Sequence, residues 1–224
     1  MQSDETEHRP VPVWDLPTRL FHWLLVAAVA TSWLSVELGA MEVHRWSGYA
    51  ILSLVVFRLL WGVFGSPHAR FGDFVRGPGA VWRYLRGHDV DYGGHNPLGG
   101  WAVLALLALL LVQAVSGLFA TDEILFEGPY YPAVAAETAA WLTGVHKQNF
   151  DLLLALVALH VAAVLFHRLA RGHDLLRPML TGLDPERPGR ARPRPWWLAL
   201  TAAAIATGAV AGLLALAPPP VSYF

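Results

Sequence analysis

Five apolar runs, each long enough to cross the roughly 30 Å hydrocarbon layer of a bilayer as a helix, dominate this 224-residue chain. They cover about residues 20–38, 46–64, 98–120, 146–169 and 196–217. Inside lipid every backbone N–H and C=O must find its partner within the structure, and a helix does this segment by segment. The expected fold class is therefore an all-α integral membrane protein. Composition agrees, with 55% hydrophobic and only 15% charged residues, too apolar for an ordinary soluble domain. The first run follows a polar N-terminal segment and shows no small-residue cleavage pattern, so it is expected to remain as a span.

The connections between runs alternate in charge. Arg9, Arg19, Arg58, Arg70, Arg76, Arg83 and Arg86 fall on one side. So do Arg168, Arg171, Arg177, Arg187, Arg190, Arg192 and Arg194, making fourteen of the sixteen basic residues. The other side has Arg45 and Lys147 among Glu37, Glu42, Asp122, Glu123, Glu127 and Glu137. The positive-inside rule places the first set in the cytoplasm. The N-terminus is then cytoplasmic, and the tail from Pro218 to Phe224 emerges outside.

The connection 65–97 interleaves aromatic residues with Arg76, Arg83 and Arg86. It is expected to lie on the cytoplasmic membrane surface, with a solvated loop as the plainer reading. The acidic connection 121–144 either docks a partner or caps the bundle. The stretch 183–195 holds four prolines and is expected to be a linker.

Polar chemistry inside the spans is concentrated in histidine. His146 and His160 are fourteen residues apart on the fourth run, which is about 21 Å along a helix and nearly a return to the same face. His22 opens the first run and His44 stands at the start of the second. Depth pairs His44 with His146 near the outer surface, and His22 with His160 near the inner one. Two such pairs are the ligand count for two bis-histidine b-type haems stacked across a bilayer. A single membrane histidine more often makes only a helix–helix hydrogen bond. Four at matched depths argue for ligands.

Gly48, one turn after His44, permits close approach of a flat ring, and Ser116 and Gly117 offer the same on the third run. Haem propionates call for cationic partners. Arg45 and Lys147 are placed for the outer haem, and Arg19 for the inner one. Arg58, fourteen residues after His44, is a candidate for an inner propionate or a quinone site. His167, seven residues past His160, is the rival inner ligand and a second quinone candidate. His8, His68, His88, His95 and His173 fall in polar connections and are expected at the surface. Nine of the ten tryptophans, Trp14 and Trp61 among them, lie near span ends and suggest an interfacial belt. Cysteine is absent, which excludes disulfides, thiolate-held iron–sulfur clusters and thioether-linked haem in this chain.

The stretch Val13-Trp14-Asp15-Leu16-Pro17-Thr18-Arg19-Leu20-Phe21-His22-Trp23 resembles the opening of the bacterial cytochrome b561 family, which includes the cytochrome b subunits of nickel–iron hydrogenases. His44-Arg45-Trp46-Ser47-Gly48, Arg58-Leu59-Leu60-Trp61-Gly62, Gly144-Val145-His146 and His160 resemble its other motifs. The similarity covers about residues 11–180. It implies a four-helix transmembrane dihaem bundle with His22, His44, His146 and His160 as axial ligands, in a bacterial inner membrane. Residues 181–224 would add a linker and a fifth C-terminal transmembrane helix, which four-helix members lack.

The expected function is electron transfer between a periplasmic redox partner and the membrane quinone pool, as part of a respiratory chain. The partner would be a cytochrome c or a hydrogenase-like dehydrogenase subunit. No residue is assigned a catalytic role, no nucleic acid is expected, and a homodimer or larger complex is compatible with the sequence. One alternative is a stand-alone quinol-dependent oxidoreductase reducing superoxide or ferric iron. The other is a non-redox metal or proton transporter.

Overall fold

The computed structural model describes residues 12–88, 94–124, 126–184 and 193–219. His8, Arg9, the centre of the proline-rich linker with Arg187, Arg190 and Arg192, and the tail from Pro220 lie outside them. The described residues form an all-helical multi-pass membrane protein. Five helices are long and apolar enough to span a bilayer: α1 (Leu16–Glu37), α2 (Met41–Phe64), α5 (Pro97–Gly117), α6 (Ala136–Ala170) and α8 (Trp196–Ala215). Three short α-helices, α3 (Phe71–Phe74), α4 (Pro78–Leu85) and α7 (Leu176–Thr181), and a 3-10 turn (Tyr131–Ala133) join them among the described residues.

Local chemistry fixes several helix ends. Asp15 caps α1, its carboxylate accepting from Thr18 N–H at 2.9 Å, and Pro17 supplies a preset φ in the first turn. Asn96 does the same for α5 through Gly99 N–H at 2.7 Å, with Pro97 next. Gly39, at φ 66°, turns α1 back into α2. The fourth span begins ten residues before its apolar run, so Ala136–Gly144 is helix and not loop. After Pro132 this segment has no helix breaker until Gly144, and its alanines favour helix. Apolarity marked the part immersed in lipid, which is shorter than the helix. At 35 residues α6 is about 52 Å long and projects beyond the hydrocarbon layer.

α2 is the central helix, packing on α1, α5 and α8, while α6 packs chiefly on α5. At mid-depth Ile51, Val55, Leu110 and Leu153 form a buried layer with Leu25, Ala28 and Val29 of α1. A second cluster joins Phe21, Phe57, Trp61, Leu107, Ala199 and Ala206 towards the arginine-rich end. Small side chains at Ala199 and Ala206 bring α8 close to α2. Tyr130 O–H donates to the Leu213 carbonyl at 2.7 Å and ties its far end.

Two tryptophans expected in an interfacial belt are structural anchors. Trp61 is 1% exposed, stacks on Phe57 at 6.0 Å, and donates its indole N–H to Asp15 at 3.0 Å. Trp14 is also buried. Both stand where the chain folds back on the bundle, so burial by that return competes with the interface and wins. Trp33, Trp46, Trp101, Trp141, Trp196 and Trp197 do face outward.

Asp15 thus serves two helices at once. Asp15→Ala is expected to lose about 1 kcal/mol of capping and about 1–3 kcal/mol more from the orphaned indole N–H. Asp15→Asn, which keeps the acceptor, should recover most of the loss. Unfolding of the purified protein in mixed micelles measures both.

Candidate functional site

The sequence spacing places His44, Ile51 and Arg58 at seven-residue intervals on α2, and His146, Leu153 and His160 at the same intervals on α6. Ile51 and Leu153 both belong to the mid-depth layer, together with Val55 and Leu110. One histidine tier therefore lies on each side of that apolar floor.

In the tier at the acidic end, the rings of His44 and His146 are 6.1 Å apart between centroids. Their planes are nearly perpendicular, at 87°. A metal ion held by two imidazole nitrogens at about 2 Å each would set ring centroids about 6 Å apart. His44 Nδ1 lies 3.0 Å from the Ser32 carbonyl, and His146 Nδ1 lies 2.9 Å from the Gln113 carbonyl. A carbonyl only accepts, so in both rings Nδ1 carries the proton and Nε2 holds the lone pair. A neighbouring carbonyl fixing the tautomer is the usual support of a metal-binding histidine.

Gln113 is the hub of this tier. Its Oε1 accepts from Asn149 Nδ2 at 2.7 Å, and its Nε2 stands 3.1 Å from His146 Nε2. Asn149 also donates to the Leu109 carbonyl at 3.0 Å. Ser116 Oγ lies 3.3 Å from His146 Nδ1. A Cβ on Gly117 would come within 2.9 Å of the His146 ring, so glycine lets this imidazole lie against α5. The space beside Gly48 is open for 4 Å around a notional Cβ, as close approach of a flat ring requires. Arg45 pairs with Glu42 at 3.3 Å and lies over the Phe126 ring at 5.0 Å. Lys147 is exposed and lines a cavity with Thr121, Asp122, Glu123 and Thr143.

In the other tier, His22 and His160 are half-buried and within electrostatic range of each other. His22 Nδ1 is buried and has no hydrogen-bond partner among the described residues. Arg19 donates to the Thr181 carbonyl at 2.9 Å, holding α7 against α1. Arg58 is 2% exposed, with Phe71 and Phe74 over its guanidinium at 5.0 and 5.9 Å. His167 stands two turns beyond His160 against Phe166.

His95 departs from its expected surface place. Its ring is 4.6 Å from both Trp14 and Phe74. Burial first, and then the Arg58 guanidinium, hold it well below the usual imidazole range, at about 3. The polar connection 94–96 folds beneath α3, which its composition did not reveal. Gln113, Asn149 and Ser32 were also missed. The signal was present as lone amides and a hydroxyl at histidine depth in otherwise apolar runs.

Among the described residues no three histidine, cysteine or carboxylate side chains gather as a metal cage. A haem iron needs only two protein ligands, because the porphyrin fills the remaining positions. The 6.1 Å ring separation, the Nδ1–H groups held by carbonyls and the open face at Gly48 fit that group. A family model described as prokaryotic cytochrome b561 matches residues 13–182. No curated protein and no solved structure was found to match the chain.

Proposed function

The chain belongs to the prokaryotic cytochrome b561 family, and we propose that it is a transmembrane dihaem cytochrome b carrying electrons between a periplasmic redox partner and the membrane quinone pool. Membership makes it a membrane haem b electron-transfer protein. The reading of two haems rests above all on the 6.1 Å approach of His44 and His146, with both Nδ1–H groups held by carbonyls. His22 and His160, within electrostatic range of each other, are the proposed second pair. Residues 11–180 form the proposed haem-binding unit, and residues 181–224 a linker and an added span.

Haem supplies a one-electron centre when bound, and the side chains around it set the potential and exclude other chemistry. Ser32 and Gln113 hold the outer imidazoles in one tautomer and one orientation. Two imidazoles on each iron would leave no position for a gas or substrate, which favours relay over catalysis. The layer of Ile51, Val55, Leu110 and Leu153 keeps water and protons out between the tiers. Arg45 and Lys147 are placed for outer propionates, and Arg19 and Arg58 for inner ones. Arg58 and His167 are the candidates to meet a quinone. The arginine-rich connections favour a cytoplasmic N-terminus and a bacterial inner membrane. The acidic 121–144 connection then faces the periplasm, where a cytochrome c or a dehydrogenase subunit would dock.

The purified protein is expected to show reduced-minus-oxidised bands of low-spin b haem. A pyridine haemochrome assay should give two haems per chain. A colourless polypeptide, or a single haem, overturns the dihaem reading.

A further inference from the structure

Arg58 is the least explained charge in the bundle. Its side chain is 2% exposed, and Nη1 is buried without a hydrogen-bond partner among the described residues. Asp15, the carboxylate nearest in effect, makes no ion pair with it among the described residues. Asp15 instead spends its oxygens on Thr18 N–H and the Trp61 indole. The rings of Phe71 and Phe74 cover the guanidinium and compensate part of its lost hydration. Neither can accept in the plane of the guanidinium, where its N–H donors point. A buried charge in that state is costly until an anion meets it.

The Phe74 ring that touches Arg58 also touches His95 on its own edge or face, at 4.6 Å between centroids. His95 Nδ1 is likewise buried without a hydrogen-bond partner among the described residues. His95 is within electrostatic range of both Arg58 and His160. Residues with unsatisfied nitrogen atoms thus flank the Phe74 ring on both sides, with Trp14 and Phe71 beside them. This is the end of the bundle where Phe21, next to His22, packs against Phe57, next to Arg58. Gly62 leaves room for Phe71, because any Cβ there would overlap the Phe71 ring.

We propose that Arg58 and His95 form a carboxylate-binding pair that holds a propionate of the haem in the His22–His160 tier. This rests on the dihaem reading and adds His95 to it. Charge decides the ligand. A neutral quinone offers carbonyl oxygens but leaves the guanidinium uncompensated, whereas a carboxylate satisfies its N–H groups and its charge together. Arg58 would supply the forked donors and His95 one further N–H, its tautomer set by the anion.

The test compares haem with its dimethyl ester, which has no carboxylates, in the reconstituted full chain. Loss of haem from each tier is followed by transfer to an apo-globin acceptor, with a His146→Ala background isolating the inner tier. Breaking one partner of a buried charge pair corresponds to about thirtyfold or more in dissociation rate. Ester haem in the otherwise unaltered inner tier is therefore expected to leave about thirtyfold faster than native haem. Arg58→Gln should speed the loss of native haem by a similar factor and leave the ester's loss unchanged. His95→Leu should act in the same sense, more weakly.

Equal retention of haem and ester by the unaltered pocket overturns the assignment. So does an Arg58→Gln effect that is as large with the ester. Unchanged haem retention with weakened quinol binding would give the pair to a quinone instead. The haem–ester comparison stands even if Arg58→Gln fails to assemble. A chain that takes up fewer than two haems undoes the dihaem reading. Two haems without coupling to the carboxylates undo only this assignment.

Discussion

His146→Ala is expected to remove one of two haems and leave the other spectrally intact. The substitution takes away one proposed axial nitrogen and breaks its bond to the Gln113 carbonyl, while Leu153 and the apolar layer beneath are untouched. Haem content should fall by half in the pyridine haemochrome assay. The surviving haem should keep its low-spin signal, because His22 and His160 are on the far side of that layer. Gln113→Leu is the control. It keeps the backbone carbonyl on His146 Nδ1 and removes only the side-chain amide 3.1 Å from Nε2, the nitrogen left for iron. Both haems are therefore expected to stay. Loss of both haems from His146→Ala would mean that the tiers do not assemble independently.

The largest effect on stability is expected at Trp61. Trp61→Ala removes a side chain that is 1% exposed, parts it from Phe57, and leaves Asp15 with an unmet acceptor. Large-to-small changes of this kind cost about 3–5 kcal/mol in water-soluble cores. Lipid is itself apolar, so the transfer part is smaller here, and the lower end of that range is expected. Trp61→Phe should retain the stack and lose only the hydrogen bond, about 1 kcal/mol. Unfolding in mixed micelles ranks the pair. A Trp61→Ala protein as stable as the parent would show that α1 and α2 are held together elsewhere.

The spans were legible because bilayer thickness imposes a length on any apolar run, and the histidine faces were legible because seven residues nearly complete two helical turns. The ends of α6 were not, since polarity reports where lipid stops and not where hydrogen bonding stops. Gln113, Asn149 and Ser32 escaped for a different reason. Periodicity states which face a residue occupies, but not which helix that face meets. His95, Trp14 and Trp61 escaped because they depend on the chain returning across the bundle's end. That return brings residues of the loop before α5 onto residues before α1, a pairing with no local trace. The spacing puts Arg58 seven residues past Ile51 on α2, but its enclosure by Phe71 and Phe74 depends on where α3 docks.

One continuous rod carries a histidine of each tier. On α6 the two proposed haem levels are therefore separated by backbone rise alone, a ruler that does not depend on how tightly the bundle is squeezed. Seven residues added between His146 and His160 would lengthen that ruler by about 10 Å, while His22 and His44, on other helices, keep their depths. One imidazole would then miss its partner, and such a chain would lose half of its colour.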